Sequence, residues 1–132
     1  MMKQILSILA LFLVMACNHE SKDERISRQA REFTKTSCPK PMDEYTVLDS
    51  LVYVPDGKVM TYYYSVSDRM DTDSVYDSKM LDVFHTSLLS NIRQNTGLLE
   101  LKEHSVTFKY VYSSSTNDKI YMSYIFAPCD YK

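Results

Sequence analysis

Glycine is nearly absent from this sequence: Gly57 and Gly97 are the only two in 132 residues, and there is no tryptophan. Two isolated glycines cannot build phosphate-cradling loops, and they exclude a G-x-S-x-G nucleophile elbow, so acyl-transfer hydrolysis is disfavoured. A basic excess is also missing. Fifteen Lys and Arg stand against 17 Asp and Glu, a net charge of -2. Nothing is left over to neutralise a phosphate backbone, and no nucleic-acid partner is expected. The three histidines, His19, His85 and His104, show no H-x-x-x-H or His-Cys spacing, and the three cysteines contain no C-x-x-C pair. No metal site, thioredoxin-like redox pair or cofactor is therefore expected. What is present is 45% hydrophobic content, 24% charged content and eleven tyrosines. That profile fits one globular core, β-rich, with half-wet aromatic faces.

Residues Met1 to Ala16 read MMKQILSILALFLVMA, one Lys followed by an apolar run from Ile5 to Met15. The run is about half the roughly 20 residues a spanning helix needs, and it fits the apolar region of an export signal. The Leu13-Val14-Met15-Ala16-Cys17 junction resembles the lipobox of bacterial lipoproteins, in which cleavage precedes a cysteine that carries diacylglycerol. The expected organisation is a signal peptide over 1–16, a lipidated tether over 17–22 and one α+β domain over 23–132. Cys17 is the expected lipidation site, and the partner it implies is a membrane, held through the N-terminal lipid at the periplasmic side of the outer membrane or the cell surface. An exported chain meets an oxidising compartment, so the remaining pair, Cys38 and Cys129, is expected to form a disulfide. It would close a loop of about 91 residues, and the chain-entropy model assigns such a loop on the order of 4 to 5 kcal/mol.

Ser21 and Glu24 have the spacing of a capping box, and Ile26, Ala30 and Phe33 recur at helical intervals up to Cys38-Pro39. With three modest apolar positions and Arg25, Arg28, Arg31 and Lys35 around them, this helix is expected to dock lightly. Strands are predicted over Thr46 to Val54 and Lys58 to Ser67, joined by a Pro55-Asp56-Gly57 turn. A polar loop, Asp68 to Asp77, precedes a second helix from about Ser78 to Asn95 with a stripe of Leu81, Phe84, Leu88 and Ile92. A short turn at Leu98 to Glu103 leads to strands over Ser105 to Ser113 and Lys119 to Ala127. Alternation puts Met60, Tyr62, Tyr64 and Val66, then Val106, Phe108, Tyr110 and Tyr112, then Ile120, Met122, Tyr124 and Phe126, on the core side. The order α-ββ-α-ββ predicts an antiparallel four-stranded sheet with its helices packed on one face.

Pro41, Asp43, Thr46, Leu48, Asp49, the Tyr62 to Tyr64 triplet, Tyr110, Tyr112, Pro128 and Cys129 together resemble the pattern of an uncharacterised family of small exported bacterial proteins. The polar tether and the acidic Lys22-Asp23-Glu24 run are similar to those of Bacteroidetes lipoproteins. The resemblance implies export and display and carries no activity with it. On the face opposite the helices, Thr61, Tyr63, Lys109, Tyr121 and Ser123 form the candidate binding face, because tyrosine supplies both apolar area and a hydrogen bond. The expected role is binding or scaffolding without chemistry, toward an envelope protein or glycan. The rival readings are a periplasmic enzyme inhibitor and a diverged envelope hydrolase.

Overall fold

A computed structural model describes residues 19–132. The expected signal peptide over 1–16 and the expected lipidation site Cys17 lie outside the described residues. Helix α1, Lys22–Ser37, opens on the expected capping box: Ser21 Oγ accepts from the Glu24 N–H, and the Glu24 carboxylate accepts from the Ser21 N–H. A two-residue strand β1, Lys40–Pro41, follows, then β2, Thr46–Val54, and β3, Val59–Val66. The β2–β3 turn needs Gly57 at φ +80°, a left-handed conformation that side chains resist. Helix α2, Ser78–Gln94, is capped by Asp77, whose carboxylate accepts from the Met80 N–H. The short helix α3, Leu99–Glu103, precedes β4, Thr107–Ser114, and β5, Ile120–Phe126; a final turn of helix, α4, Pro128–Tyr131, closes the fold. No helix among the described residues is long and apolar enough to cross a membrane.

The α+β class and the helix-covered sheet are as the sequence predicts, with two corrections. The sheet has five strands in the order β1-β2-β3-β4-β5, because Lys40 and Pro41 pair with Leu48 and Val47. Two residues carry no readable alternation, so β1 is invisible to a period-2 pattern. The second correction is that β3 and β4 run parallel, while all other neighbours are antiparallel. The 40-residue stretch between them holds a long helix, and such a crossover returns the chain to the end at which β3 began.

The core lies on the helix-covered face. Phe108, Val106 and Ile92 are fully buried there, with Phe126, Val66, Ile26 and Met122 beside them. Truncating a phenylalanine in such a setting costs about 3 to 5 kcal/mol. Contrary to the light docking expected of it, α1 buries Ile26 and Ala30 and also serves the backbone of β2. Thr34 Oγ1 accepts from the Leu51 N–H at 2.9 Å and donates to the Leu51 carbonyl at 3.1 Å, and Ser27 Oγ donates to the Tyr53 carbonyl. Serine and threonine seven residues apart lie two helical turns apart on one face, so α1 covers the edge that β1 is too short to cover.

Candidate functional site

Because β3 and β4 are parallel and in register, Tyr62 lies opposite Tyr110 and Tyr64 opposite Tyr112. The two pairs stack across the strands at centroid separations of 4.8 and 4.5 Å. These four rings pave the middle of the helix-covered face. Five other tyrosines, Tyr53, Tyr76, Tyr121, Tyr124 and Tyr131, each donate to a named acceptor. The hydroxyls of Tyr62, Tyr64, Tyr110 and Tyr112 have no hydrogen-bond partner among the described residues. Burial holds all four protonated: it pushes Tyr64 up to about 12 and raises the other three above their ordinary value.

Above Tyr62 the packing leaves a cleft of about 350 Å³. Its floor is Leu51, Met60 and Tyr62; one wall is Ala30 and Phe33 of α1, and the other is the stretch from Gly97 to Leu101. A volume of this size, apolar with a few polar groups, is at the small end of ligand pockets. The cleft exists because the two long helices stand on different parts of the sheet, α1 on β2 and α2 toward β5 and α4. Ile92 is the one residue of α2 that is fully buried, and Leu81, Phe84 and Leu88 remain partly open.

One end of the cleft is latched by charge. Arg25 of α1 pairs with Glu100 of α3. One turn away, Asp23 Oδ1 accepts from the Tyr53 hydroxyl at 2.6 Å and lies 2.8 Å from His104 Nε2. The Tyr53 and His104 hydrogen bonds hold the Asp23 carboxyl below its ordinary value. Among the described residues Glu100 is the carboxylate that lines the cleft, and it is the one paired with Arg25. His85 packs against the Tyr124 and Phe126 rings at 5.7 and 5.0 Å.

The sequence-predicted face is only partly assembled. Tyr63 is 40% exposed on the side away from the helices, Ser123 is exposed, and Lys109 is half-buried. Thr61 is buried, at 6%, because it sits on a central strand between Val52 and Lys109. Tyr121 is drawn elsewhere. A bulge near the start of β5, where Tyr112 pairs with Met122 but Ser113 pairs with Ile120, leaves Tyr121 as the extra residue. Its ring stacks on Tyr76 at 4.6 Å and its hydroxyl donates to Asp71 at 2.8 Å. Tyr63 and Tyr121 therefore do not form one patch. The exposed apolar residues Val52, Val54 and Ile125 accompany Tyr63 instead.

The expected disulfide is a further correction. Cys38 and Cys129 are both free. Cys38 ends α1 ahead of β1 and Cys129 lies in α4 after β5, on opposite edges of the sheet. Four strand spacings separate those edges by roughly 19 Å, whereas bridged Cα atoms lie within about 7 Å.

The fold is found in solved structures. A candidate secreted protein from Pseudomonas aeruginosa superposes with a TM-score of 0.64 at 16% identity, over 87% of this chain and 100% of its own. The pilotin EpsS of the type 2 secretion system of Vibrio vulnificus superposes with a TM-score of 0.61 at 8% identity, over 83% of this chain and 91% of its own. At these identities the likeness is one of fold. No curated protein matches the chain. Residues 21–122 match the family model described as a domain of unknown function, DUF8479, and the chain belongs to that family.

Proposed function

We propose that this chain is a lipid-anchored protein of the bacterial cell envelope, of the Bacteroidetes type, that works by binding a partner and carries out no chemistry of its own. The observation that carries the reading is the apolar cleft between α1 and α3, floored by a tyrosine whose hydroxyl has no partner among the described residues. Such a site rewards an apolar ligand that also brings a hydrogen-bonding group. Its single carboxylate is neutralised by Arg25, which favours binding over hydrolysis. The leader sequence supports export, and the Ala16-Cys17 junction supports an acyl anchor at Cys17. The fold shared with a secretion-system pilotin agrees with a role beside an envelope assembly.

The test has two arms. Cys17→Ser releases the chain from membranes into the aqueous fraction if the anchor is correct, and membrane retention at the wild-type level refutes it. Leu101→Glu places a charge in the wall of the cleft and abolishes partner capture from the native envelope while the fold is retained. Unchanged capture moves the site to the Tyr63 face.

A further inference from the structure

The two edges of the sheet are treated in opposite ways. On the β2 side the edge is guarded: β1 is two residues long, contains Pro41 and the charged Lys40, and Thr34 and Ser27 of α1 occupy the backbone groups of Leu51 and Tyr53. Short length, proline, charge and a covering helix are the devices by which proteins keep an edge from pairing with another chain. The β5 edge carries almost none of them. Ile120–Phe126 is seven residues long, uncharged and free of proline, with Ile125 61% exposed.

The outward groups of β5 follow from the ladder. The Thr107 N–H donates to the Lys58 carbonyl and the Ser115 N–H to the Val66 carbonyl, both on the β3 side, so odd-numbered residues of β4 face β3 and even-numbered ones face β5. Tyr110 and Phe108 therefore exchange bonds with Tyr124 and Phe126, and the N–H and C=O of Ser123 and Ile125 point away from the sheet. They have no hydrogen-bond partner among the described residues.

We infer that the β5 edge pairs with β5 of a second copy of this chain, antiparallel, to make one continuous sheet across a twofold axis. The strand complements itself. Tyr121 is taken up by the bulge, so Ser123 and Ile125 supply the regular outward groups, and one register uses both: Ser123 of each copy opposite Ile125 of the other. That gives two pairs exchanging about four hydrogen bonds, with Tyr124 on the axis. No charge falls within the paired stretch. Self-pairing therefore sets no like charges opposite one another in the ladder. A twofold arrangement closes on itself, so the open edge does not lead to a filament.

Ser123→Pro tests this with little cost to the fold, since the N–H it removes points away from β4. The full-length chain, extracted in a mild detergent, is examined by sedimentation velocity with the detergent density-matched. The wild type sediments as a dimer. Ser123→Pro acts in both copies and weakens the dimer by about tenfold or more. Ile125→Lys, at an exposed position, has the same effect and decides the matter if the proline variant loses its far-ultraviolet circular dichroism. A wild type that is monomeric at millimolar concentration overturns the inference, and amide protection of β5 by a different protein in that monomer assigns the edge to a foreign strand. A dimer that survives both substitutions overturns it equally, because the interface then lies elsewhere.

Discussion

Replacing Thr34 by valine removes one hydroxyl from the seam between α1 and β2 and nothing else. Valine keeps the β-branched shape and a similar helix propensity, so neither packing volume nor helix stability changes appreciably. What is lost is the pair of bonds at 2.9 and 3.1 Å to the N–H and C=O of Leu51, both in a part-buried setting. A buried backbone group left without a partner costs about 1 to 3 kcal/mol. Partial solvent access lowers that figure, and two groups raise it, so a loss of about 2 kcal/mol is expected. For a folded region of this size that is a fall in Tm of roughly 8 °C. Urea denaturation of the wild type, Thr34→Val and Thr34→Ser provides the assay, and serine, which retains the hydroxyl, recovers most of the loss. A valine variant within about 0.3 kcal/mol of wild type would falsify the idea that α1 caps the β2 edge. So would a serine variant as unstable as valine.

Three further outcomes follow from named contacts. Both Cys38 and Cys129 react with an alkylating reagent under non-reducing conditions, and the exposed Cys129 reacts faster than the half-buried Cys38, whose thiol burial pushes above its usual value; a protected pair read by mass spectrometry contradicts this. Tyr121→Ser destabilises the fold through loss of the Tyr76 stack and the Asp71 bond, by about 1 to 2 kcal/mol, whereas Tyr63→Ser is nearly neutral by thermal melting; equal effects would return both rings to one surface. The stability contributed by Asp23, whose folded value lies below its unfolded one, is fully present above the ordinary carboxylate range and is lost as pH falls through the folded value. Asp23→Asn therefore flattens the acid limb of a stability-against-pH curve, and an unaltered limb rules that contribution out.

Much of the fold was legible because its signals are local. Ser21 and Glu24 marked a helix start that the structure reproduces bond for bond, and Pro55-Asp56-Gly57 marked a turn that needs a positive φ. Alternation sorted Tyr62, Tyr64, Tyr110 and Tyr112 onto the covered side, where they lie. Alternation is silent about which strands pair and in which direction, and so the parallel β3–β4 register that stacks those rings was not visible. The cleft was hidden for the same reason: Phe33 and Leu101 are ordinary members of apolar stripes until the helices are placed on the sheet. Thr61 and Tyr121 were misread because a period of two treats every strand residue alike. Position in the middle of the sheet buries the first, and a single bulged residue redirects the second. The Cys38–Cys129 pairing rested on an even count in an oxidising compartment, which carries no distance.

The central claim is that the cleft between α1 and α3 is where a partner sits, and cross-linking reads it most directly. A photoreactive residue is placed at Gln29, on the rim of the cleft, and separately at Val83, exposed on α2, in the full chain within its native envelope. The account predicts a light-dependent adduct of defined mass from position 29, lost when Leu101→Glu is added, and none from position 83. Adducts of equal yield from both positions, or a position-29 adduct indifferent to Leu101→Glu, would contradict it.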